Sequence, residues 1–439
     1  MIEITNIILA LFSFLLITFV PLNIFAIKNK IFNNCSSLDL ASFNLIINCN
    51  ILLIFSLLPL SLENYNYIYY TFLILLFFYS YFLKFRNFKD FKNMTLNIIL
   101  LASIFFIISI NVTAKLKLGW DAQFFYYIKS LFFIEGQNFY DLNKFQYGFH
   151  PHLGSFFWSF YWNLININYE YIGRLFYVFV SCFSFFYICK KNFEDNDFRI
   201  IIFFLLVLFF YEYDRFSGLQ EILIFSFLIL LSKYFMKILI TKNILYSIFF
   251  VITCNLILWI KAEGVVYLSI MFIIFNLNNK INIKQKIYIS LCFALMVLFK
   301  YMIYEISQNV MLDKTGHPYD LNYFEILNLN FIIFKLKLII PYLIYYLLNN
   351  IFLIFGIILI IYNKYYKINI TYNNSMLLYL FLSTCFIFSA YLFRDMEIEY
   401  SIKTTMERIT FTISGFYLMT LVNFLINIVD KFKKIKPKS

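Results

Sequence analysis

Long apolar runs separated by short polar stretches make up most of this chain of 439 residues. About thirteen of these runs have the length that an α-helix needs to cross a hydrocarbon core of roughly 30 Å. The pattern therefore predicts an all-α, polytopic membrane protein in which residues 1–439 form a single integral membrane domain. The predicted spans are residues 5–26, 41–60, 67–83, 95–113, 170–189, 199–213, 221–240, 243–260, 264–278, 287–307, 346–363, 374–393 and 409–429.

Two segments are ambiguous, because 151–166 is short and begins with proline, and 329–345 is interrupted by two lysines and a proline. The charge pattern decides between topologies, since short loops rich in Lys and Arg stay in the cytoplasm. All six basic stretches share that side if both ambiguous segments lie at the membrane interface without crossing. The N-terminus is then outside, the C-terminus is inside, and 430–439 is a basic cytoplasmic tail. The basic stretches are residues 28–30, 84–92, 190–191, 278–286, 363–367 and this tail.

The composition supports the membrane class and argues against others. The chain is 62% hydrophobic and 14% charged, with mean hydropathy +0.77, and a soluble protein of this length needs more charge to cover its surface. The net charge of +12 comes from short loops and the tail, so no nucleic-acid partner is expected. The seven cysteines are scattered and form no Cys/His cluster, so neither a disulfide framework nor a zinc site is expected. The first apolar run lacks a basic start and a cleavage site, and it is predicted to be a retained helix.

Polar groups gather on the predicted outer side of the membrane. Fifteen of the 24 acidic side chains and all three histidines lie there or at outer helix ends. The acidic excess alone has an ordinary explanation, since the positive-inside rule constrains mainly Lys and Arg. Basic residues at outer helix ends are more informative, because an ionisable group there is costly and usually has a partner or a function. These residues are Arg174, Arg215, Lys261, Arg394 and Arg408.

The longest predicted outer loop, residues 114–166, is expected to contain juxtamembrane helices, and a second outer loop covers 308–345. In the first loop, five apolar residues recur at helical spacing, which predicts an amphipathic helix on the outer leaflet with Gln123, Tyr127 and Ser130 on its polar face. Asp121 lies in the first turn of this helix, where a carboxylate complements the helix dipole. A helix-start residue without further role is the alternative for Asp121. The five apolar residues are Phe124, Phe125, Ile128, Leu131 and Phe132.

Two histidines, His150 and His152, flank Pro151 after this helix. In an extended segment they point to opposite sides, so a joint metal site is not expected. Each histidine can hydrogen-bond either to a ligand phosphate or to a structural carbonyl, and the sequence does not distinguish these two roles.

The order of residues in the first loop resembles a known arrangement. The pair Trp120-Asp121 is followed by the surface helix, which ends near Gly136, and then by the helix start PHLG at 151–154. This order resembles the first outer loop of GT-C-type glycosyltransferases, which are polytopic enzymes that use lipid-phosphate sugars. Three later motifs are similar to these enzymes as well: YIGRLFYVF at 171–179, WIKAEGVVYL at 259–268 and TTMERITF at 404–411.

The resemblance covers most of the chain in layout and implies that Asp121 is the catalytic base. Ala122 stands where such enzymes commonly carry a second acid, which puts a metal-bridged site in doubt. Three predicted helices also precede the one that leads into the loop, where many members have none. No cofactor is expected, and a divalent metal is left open without support.

Transfer of a sugar from a polyprenyl phosphate releases a phosphate, so the site needs one base for the acceptor hydroxyl and cations for the developing charge. Asp121 is the candidate base. A plain helix-start carboxylate is the alternative for Glu221. The candidate cations for the donor phosphate are Lys261, Arg408, Arg174, His150 and His152, and the candidates for the sugar or the acceptor are Trp120, Gln123, Glu221 and Glu263.

The two leading cations also have structural alternatives. Lys261 is two residues from Glu263 and can form a salt bridge with it. Arg408 can pair in the same way with Glu407 or Asp395.

The expected function is that of a membrane glycosyltransferase, which moves a sugar from a polyprenyl-phosphate donor to a glycan, lipid or protein acceptor at the outer face of the cytoplasmic membrane. One alternative is an O-antigen polymerase or ligase, which typically uses arginines in a large late loop, whereas the longest loop here is early. The other is a transporter or flippase of lipid-linked saccharides, which places ionisable groups near mid-membrane in two matching halves. Convergence of Asp121, Lys261 and Arg408 on one site would favour the transferase.

Overall fold

The computed structural model describes residues 4–19, 35–82, 88–144, 150–189, 205, 215–307, 329–367, 370–393 and 398–425. Within these ranges 87% of the residues are helical and none lies in a β-strand. The prediction of an all-α fold is confirmed. Several predicted features lie outside the described residues: most of span 199–213, the basic stretches 28–30 and 190–191, residues 308–328 of the second loop, and the tail 430–439.

The helices are labelled in chain order. They are α1 (Ile4–Phe19), α2 (Ser37–Ser56), α3 (Leu62–Phe82), α4 (Phe88–Lys115), α5 (Ile128–Ile134), α6 (Leu153–Ile165), α7 (Tyr171–Cys189), α8 (Glu221–Thr241), α9 (Ile244–Ile260), α10 (Gly264–Leu277), α11 (Ile283–Ile306), α12 (Leu329–Asn349), α13 (Ile351–Tyr365), α14 (Ile370–Leu392) and the last helical run α15 (Ile398–Leu425).

Polar residues mark where several of these helices begin. Ser36 forms a capping box with Asp39 at the start of α2, in which each side chain accepts a hydrogen bond from the other residue's backbone amide. Asn243, Asn282 and Asn350 precede α9, α11 and α13. The side-chain oxygen of each accepts a hydrogen bond from a backbone amide in the first turn of its helix. These contacts satisfy amide groups that a helix N-terminus otherwise leaves unpaired. Polar residues between the apolar runs thus define helix starts.

Eight of the described helices are long and apolar enough to cross a membrane. Four shorter apolar helices, α1, α9, α10 and α13, have rises of only about 21 to 26 Å at 1.5 Å per residue. The lengths therefore give a multi-pass helical architecture, and the number of thirteen spans stays a prediction. The eight long helices are α2, α4, α7, α8, α11, α12, α14 and α15.

The centre of the bundle is formed by α7 and α8. All of α7 is buried, and so is 83% of the apolar window of α8. Helices α1, α4 and α6 pack on α7, whereas α9 and α15 pack on α8. Only 17% of α11 and of α12 is buried, so these helices form the rim.

One end of the bundle collects the ends of α2, α4 and α9 and the starts of α6, α8 and α10. The hydroxyl of Ser56, at the end of α2, lies 2.8 Å from a ring nitrogen of His152, just before α6. Lys261, directly after α9, lies 2.9 Å from Glu221, the first residue of α8. This is named the Asp121 end, because Asp121 follows α4 there.

The opposite end contains Asp39 at the start of α2. Its carboxylate accepts a hydrogen bond at 2.6 Å from the hydroxyl of Tyr187 near the end of α7, and lies 3.9 Å from Lys237 near the end of α8. The basic stretches 278–286, between α10 and α11, and 363–367, at the end of α13, also lie at this end. These two described stretches therefore share one side, as the charge pattern predicts.

Segment 151–166 contains α6, whose 13 residues rise only about 20 Å, too little to cross a membrane. It is buried in the protein instead of lying on the surface. Asn48 of α2 donates to the hydroxyl of Tyr161 in α6 at 3.0 Å and accepts from the hydroxyl of Tyr69 in α3 at 2.8 Å. Such paired polar groups hold neighbouring helices together in an apolar surrounding.

Segment 329–345 forms most of α12, a continuous helix of 21 residues that could cross a membrane by length and composition. This differs from the expected interfacial segment, yet both ends of α12 have partners near one end of the bundle. Near its start, the Lys335 ammonium donates to the carbonyl of Leu392, the last residue of α14, at 3.0 Å. Directly after it, Asn350 donates to the carbonyl of Thr410 in α15 at 3.1 Å.

The two residues that α12 contacts, Leu392 and Thr410, lie close to each other along the bundle axis. The hydroxyl of Tyr391, next to Leu392, lies 2.6 Å from that of Thr405, and Thr410 follows Thr405 by about 7.5 Å of helix rise. The interfacial placement of 329–345 stays a prediction.

Gly173 lies where α7 crosses α6. A Cβ at this position would collide with the carbonyl oxygen of Trp158 and lie 2.9 Å from its carbonyl carbon. Gly173→Ala is therefore expected to destabilise the protein by about 1–3 kcal/mol, the usual cost of overpacking. The thermal unfolding midpoint in detergent measures this. The exposed Ser103→Ala serves as the control and should stay within about 0.5 kcal/mol of the wild type; an unchanged Gly173→Ala midpoint would contradict the close α6–α7 packing.

Candidate functional site

The connection from α4 to Asp121 is tied to the turn that precedes α8. The amide of Gly119 donates to the carbonyl of Ser217 at 2.8 Å, and a Cβ at position 119 would lie 3.1 Å from the Ser217 hydroxyl. Gly218 has a φ of +86°, in the left-handed region that L side chains rarely adopt. The two glycines thus let two backbone segments approach closely, which places Asp121 beside Glu221.

The same close approach explains the small side chain of Ala122, which is fully buried. A Cβ on Gly218 would lie 3.0 Å from the Ala122 Cβ and 2.7 Å from the Trp158 ring. An acidic side chain at position 122 would have to enter this packed space. A second carboxylate beside Asp121 therefore has to come from another element.

The helix after Asp121 begins as a π-helix, Ala122–Tyr127, and continues as α5. Its outer side is apolar, since Trp120, Phe124 and Ile128 are 62%, 46% and 39% exposed. An exposed aromatic side of this kind suits the boundary between lipid and water, where Trp is enriched. The structure thus contains a helix with an apolar face in the predicted place.

One residue of the predicted polar face lies elsewhere, whereas Gln123 is exposed as predicted and Tyr127 is half-buried. Ser130, expected opposite the apolar residues, is fully buried, and its hydroxyl donates to the carbonyl of Ser155 at 3.1 Å. The reason is the π-helix, which takes more residues per turn than an α-helix and so rotates α5 relative to α-helical spacing. This part of the helix therefore turns a polar side chain toward α6.

Side chains from several parts of the chain meet beside Asp121. The Nη1 of Arg408 pairs with Oδ2 of Asp121 and lies 3.5 Å from Oε1 of Glu221. The Nζ of Lys261 lies 2.9 Å from the same Glu221 oxygen and 3.6 Å from Oε1 of Glu263. These five residues form one continuous set of ion pairs, named the Asp121 network. Asp121, Lys261 and Arg408 thus converge, as the transferase hypothesis requires.

The members of the network stand at irregular points of the helices. Glu221 begins α8, and Lys261 follows α9 directly. Arg408 lies in α15 just after the π-helical stretch Ile402–Met406. Asp121 and Arg408 therefore both adjoin π-helical backbone, which occurs frequently at functional sites.

The network is partly buried and partly open. The side chain of Glu221 is 7% exposed, compared with 24% for Asp121 and 18% for Arg408. Burial alone would lower the pKa of Lys261, but the carboxylates of Glu221 and Glu263 outweigh it and hold this pKa well above its ordinary value. Lys261 therefore stays charged at neutral pH, and the partial burial strengthens its attraction for anions.

Two buried atoms of the network, Oε2 of Glu221 and Nε of Arg408, have no hydrogen-bond partner among the described residues. Buried polar atoms are seldom left unpaired, and each exception needs an explanation. The carboxylate can accept one further hydrogen bond and the guanidinium can donate one. A ligand hydroxyl, which both donates and accepts, has the matching chemistry.

The structural alternatives for the two leading cations are only partly present. Lys261 does contact Glu263, but at a longer distance than its contact with the first residue of α8. Glu407 lies 3.8 Å from a different arginine, and Asp395 is outside the described residues. The recorded partners of Arg408 thus come from other elements.

Arg215 is a further cation at this end and was not among the predicted site residues. Its guanidinium lies 3.7 Å from the centre of the Phe411 ring and 3.8 Å from Glu407. Burial lowers the pKa of Arg215 to about 10, so it is charged at neutral pH. The sequence signal exists, since Arg215 is one of the basic residues at predicted outer helix ends.

Arg174, a predicted donor-binding cation, is not brought into the network. Its buried guanidinium pairs with Glu170 at 2.8 Å and donates to the carbonyl of Phe216 at 3.2 Å. Burial raises the pKa of Glu170 even though the adjacent Arg174 lowers it. Arg174 therefore supports the turn that leads into α8.

Neither histidine joins the network. His152 is fully buried, its Nε2 lies 2.8 Å from the hydroxyl of Ser56, and its ring centre lies 4.5 Å from that of Phe139. Burial lowers the pKa of His152 well below its ordinary value. The carbonyl of His150 accepts a hydrogen bond from the Lys129 ammonium. The partner of the His152 ring is therefore a hydroxyl and not a carbonyl, and a role of either histidine in phosphate binding stays a prediction.

The remaining predicted residues lie around the network. Trp120 packs its ring against Phe124 at 4.8 Å and is exposed beside Asp121. Gln123 donates to the carbonyl of Leu118 at 3.1 Å on the exposed side. In the described ranges, no group of three or more His, Cys, Asp or Glu residues could hold a metal ion.

Comparisons with protein-family models, curated proteins and solved structures found no match. The resemblance to GT-C-type enzymes therefore rests on the sequence motifs alone. The function has to be inferred from the geometry of the Asp121 network.

Lys129 in α5 is a buried lysine next to the site. Its ammonium donates to the carbonyl of His150 at 2.6 Å, which connects α5 to the segment before α6. Burial lowers the pKa of Lys129 to about 7. No sequence pattern distinguishes this residue from the lysines of the loops.

The pKa of Lys129 generates a prediction for stability. The unfolded lysine has a pKa of about 10.4, so between pH 7 and 10 the unfolded chain binds more protons than the folded one. The free energy of unfolding is therefore expected to rise with pH above 7, by up to about 1.4 kcal/mol per unit. In Lys129→Met this contribution should be absent, and the thermal midpoints of wild type and variant between pH 7 and 9 measure it. Lys144→Met, at an exposed position, is the control; parallel curves for wild type and Lys129→Met would contradict the assignment.

Proposed function

We propose that this protein is a membrane glycosyltransferase that uses a polyprenyl-phosphate sugar as donor. The observation that carries the proposal is the convergence of Asp121, Lys261 and Arg408 through the carboxylate of Glu221. Successive contacts in this chain of ion pairs are no longer than 3.5 Å. A candidate base and two cations therefore lie within reach of one bound sugar phosphate.

The chemistry of transfer fits these groups. The acceptor hydroxyl forms a bond to the anomeric carbon while its proton passes to the Asp121 carboxylate. The bond from this carbon to the donor phosphate breaks, and the electron pair leaves with the phosphate. Arg408 and Lys261 would stabilise the negative charge that develops on the departing phosphate oxygen. A phosphate is a good leaving group, so this scheme needs no separate acid.

The surroundings of Asp121 support a substrate that is anchored in the membrane. The exposed apolar side of the adjoining helix, with Trp120 and Phe124, belongs at the boundary between lipid and water. The described basic stretches 278–286 and 363–367 lie at the other end of the bundle, which favours an outward-facing network in the cytoplasmic membrane.

The position of the network along the helices favours an enzyme over a transporter. Glu221, Lys261 and Glu263 stand at helix termini. A transporter of lipid-linked saccharides would place such groups near the middle of the bundle, at broken helices. The acceptor of this proposed transferase is a glycan, a lipid or a protein.

Asp121→Asn is expected to lower the rate of sugar transfer by about 100-fold or more, because the amide cannot take the proton of the acceptor. The measurement uses membranes that contain the variant and a panel of labelled polyprenyl-phosphate hexoses. Asp141→Asn is a matched control, since Asp141 is in the same loop and pairs with Lys144 near the surface. Transfer at the wild-type rate by Asp121→Asn would exclude this carboxylate as the base.

Arg408→Ala is expected to raise the KM for the donor by about tenfold or more, the scale of a lost charge-assisted hydrogen bond. The matched control is Lys403→Ala, which removes a cation one turn earlier that pairs with exposed Glu399 at 2.7 Å. Initial rates at varied donor concentration give both KM values. A lower thermal midpoint for Arg408→Ala with an unchanged KM would show a structural role only.

A further inference from the structure

One atom of the Asp121 network has an unusual surrounding. The Oε1 of Glu221 lies 2.9 Å from the Lys261 ammonium and 3.5 Å from the Arg408 guanidinium. Two cations from different helices thus point at a single anionic oxygen. The other oxygen of this carboxylate is buried without a hydrogen-bond partner among the described residues.

A carboxylate that served stability alone would be expected to have both oxygens paired, because an unsatisfied buried acceptor is costly. The opposite end of the bundle provides the comparison. There Asp39 accepts at one oxygen from Tyr187, at 2.6 Å, and at the other from the hydroxyl and amide of Ser36. Asp39 thus has partners at both oxygens, whereas Glu221 has them at only one within the part of the chain that the structure describes.

We propose that Oε1 of Glu221 occupies the position that an oxygen of the donor's phosphate takes when the lipid-linked substrate binds. Glu221 is then a built-in counter-ion of the phosphate subsite, whose binding groups are Lys261 and Arg408. This inference rests on the proposed function, and it states that the Glu221 carboxylate occupies the phosphate subsite until the donor binds.

The other contacts of the two cations make such an exchange feasible. If Lys261 moves away from Glu221, it still pairs with Glu263 at 3.6 Å. If Arg408 moves away from Glu221, it still pairs with Asp121. Neither cation is then left as an unpaired buried charge, and Glu221 still contacts the other cation while only one of them turns to the phosphate. The Arg408 and Asp121 side chains are 18% and 24% exposed, so a ligand can approach from their side.

The exchange also has a consequence for Asp121. Arg408 is shared between the Asp121 and Glu221 carboxylates in the structure. A phosphate that binds Arg408 would share this guanidinium with Asp121. Donor binding would thereby hold the phosphate next to the candidate base.

The test measures binding of polyprenyl monophosphate, which has no sugar, to the full-length protein in nanodiscs. Glu221→Gln removes the competing negative charge, so its Kd for this lipid should fall on the order of tenfold. Glu221→Asp keeps a charge but shortens the side chain, and its Kd should fall by a smaller factor. Glu399→Gln is the matched control, because Glu399 is exposed and its ion pair with Lys403 lies outside the Asp121 network; its Kd should stay unchanged.

Two further probes identify the part of the lipid that is recognised. Polyprenol without phosphate should bind equally to wild type and Glu221→Gln, whereas inorganic phosphate should compete better against the lipid in Glu221→Gln. Tighter phosphate binding in Glu221→Gln, or in Glu221→Asp if the former does not fold, supports the inference. A Kd equal to or higher than that of wild type in the folded variants overturns it.

The outcomes also separate this inference from the proposed function. In one outcome, wild type binds polyprenyl phosphate more tightly than polyprenol, but the Glu221 variants bind the phosphate no more tightly than wild type. This outcome contradicts only the counter-ion role of Glu221. Wild type that shows no preference for the phosphate contradicts both the donor assignment and the inference built on it.

Discussion

A buried carboxylate at the start of α8 has to be paired with cations, since an unpaired charge in an apolar interior is very costly. Glu221 meets this requirement with Lys261 at the end of α9 and Arg408 in α15. Arg408 in turn reaches Asp121, which follows α4. One electrostatic constraint therefore ties together four helices at one end of the bundle and determines where the candidate base stands.

Close backbone packing complements this constraint. Gly119 and Gly218 let the segment after α4 approach the turn before α8, and Ala122 fits into the space that remains. An acidic residue beside Asp121 would disturb that packing. Glu221 instead supplies a second carboxylate from a distant part of the sequence, and a guanidinium connects the two carboxylates.

The two ends of the bundle differ in how completely their buried carboxylates are hydrogen-bonded. At one end Asp39 is fully engaged by Ser36 and Tyr187 and lies near Lys237, which suits a contact that stabilises the helix ends. At the other end Glu221 shares one oxygen between two cations, and its other oxygen has no hydrogen-bond partner among the described residues. Incomplete satisfaction of a buried group is expected where a ligand completes the set.

The sequence by itself determined the all-α architecture and the approximate positions of most helices, and it indicated a multi-pass membrane protein, because hydropathy is a local property of the chain. It also singled out Asp121, Lys261 and Arg408, since a charged residue at a helix end stands out against apolar neighbours. Only the tertiary structure decided that Glu221 joins them and that Arg174 and the histidines do not. The reason is physical: which helix ends meet depends on packing between elements far apart in the chain, and a π-helix changes which side of α5 faces the protein.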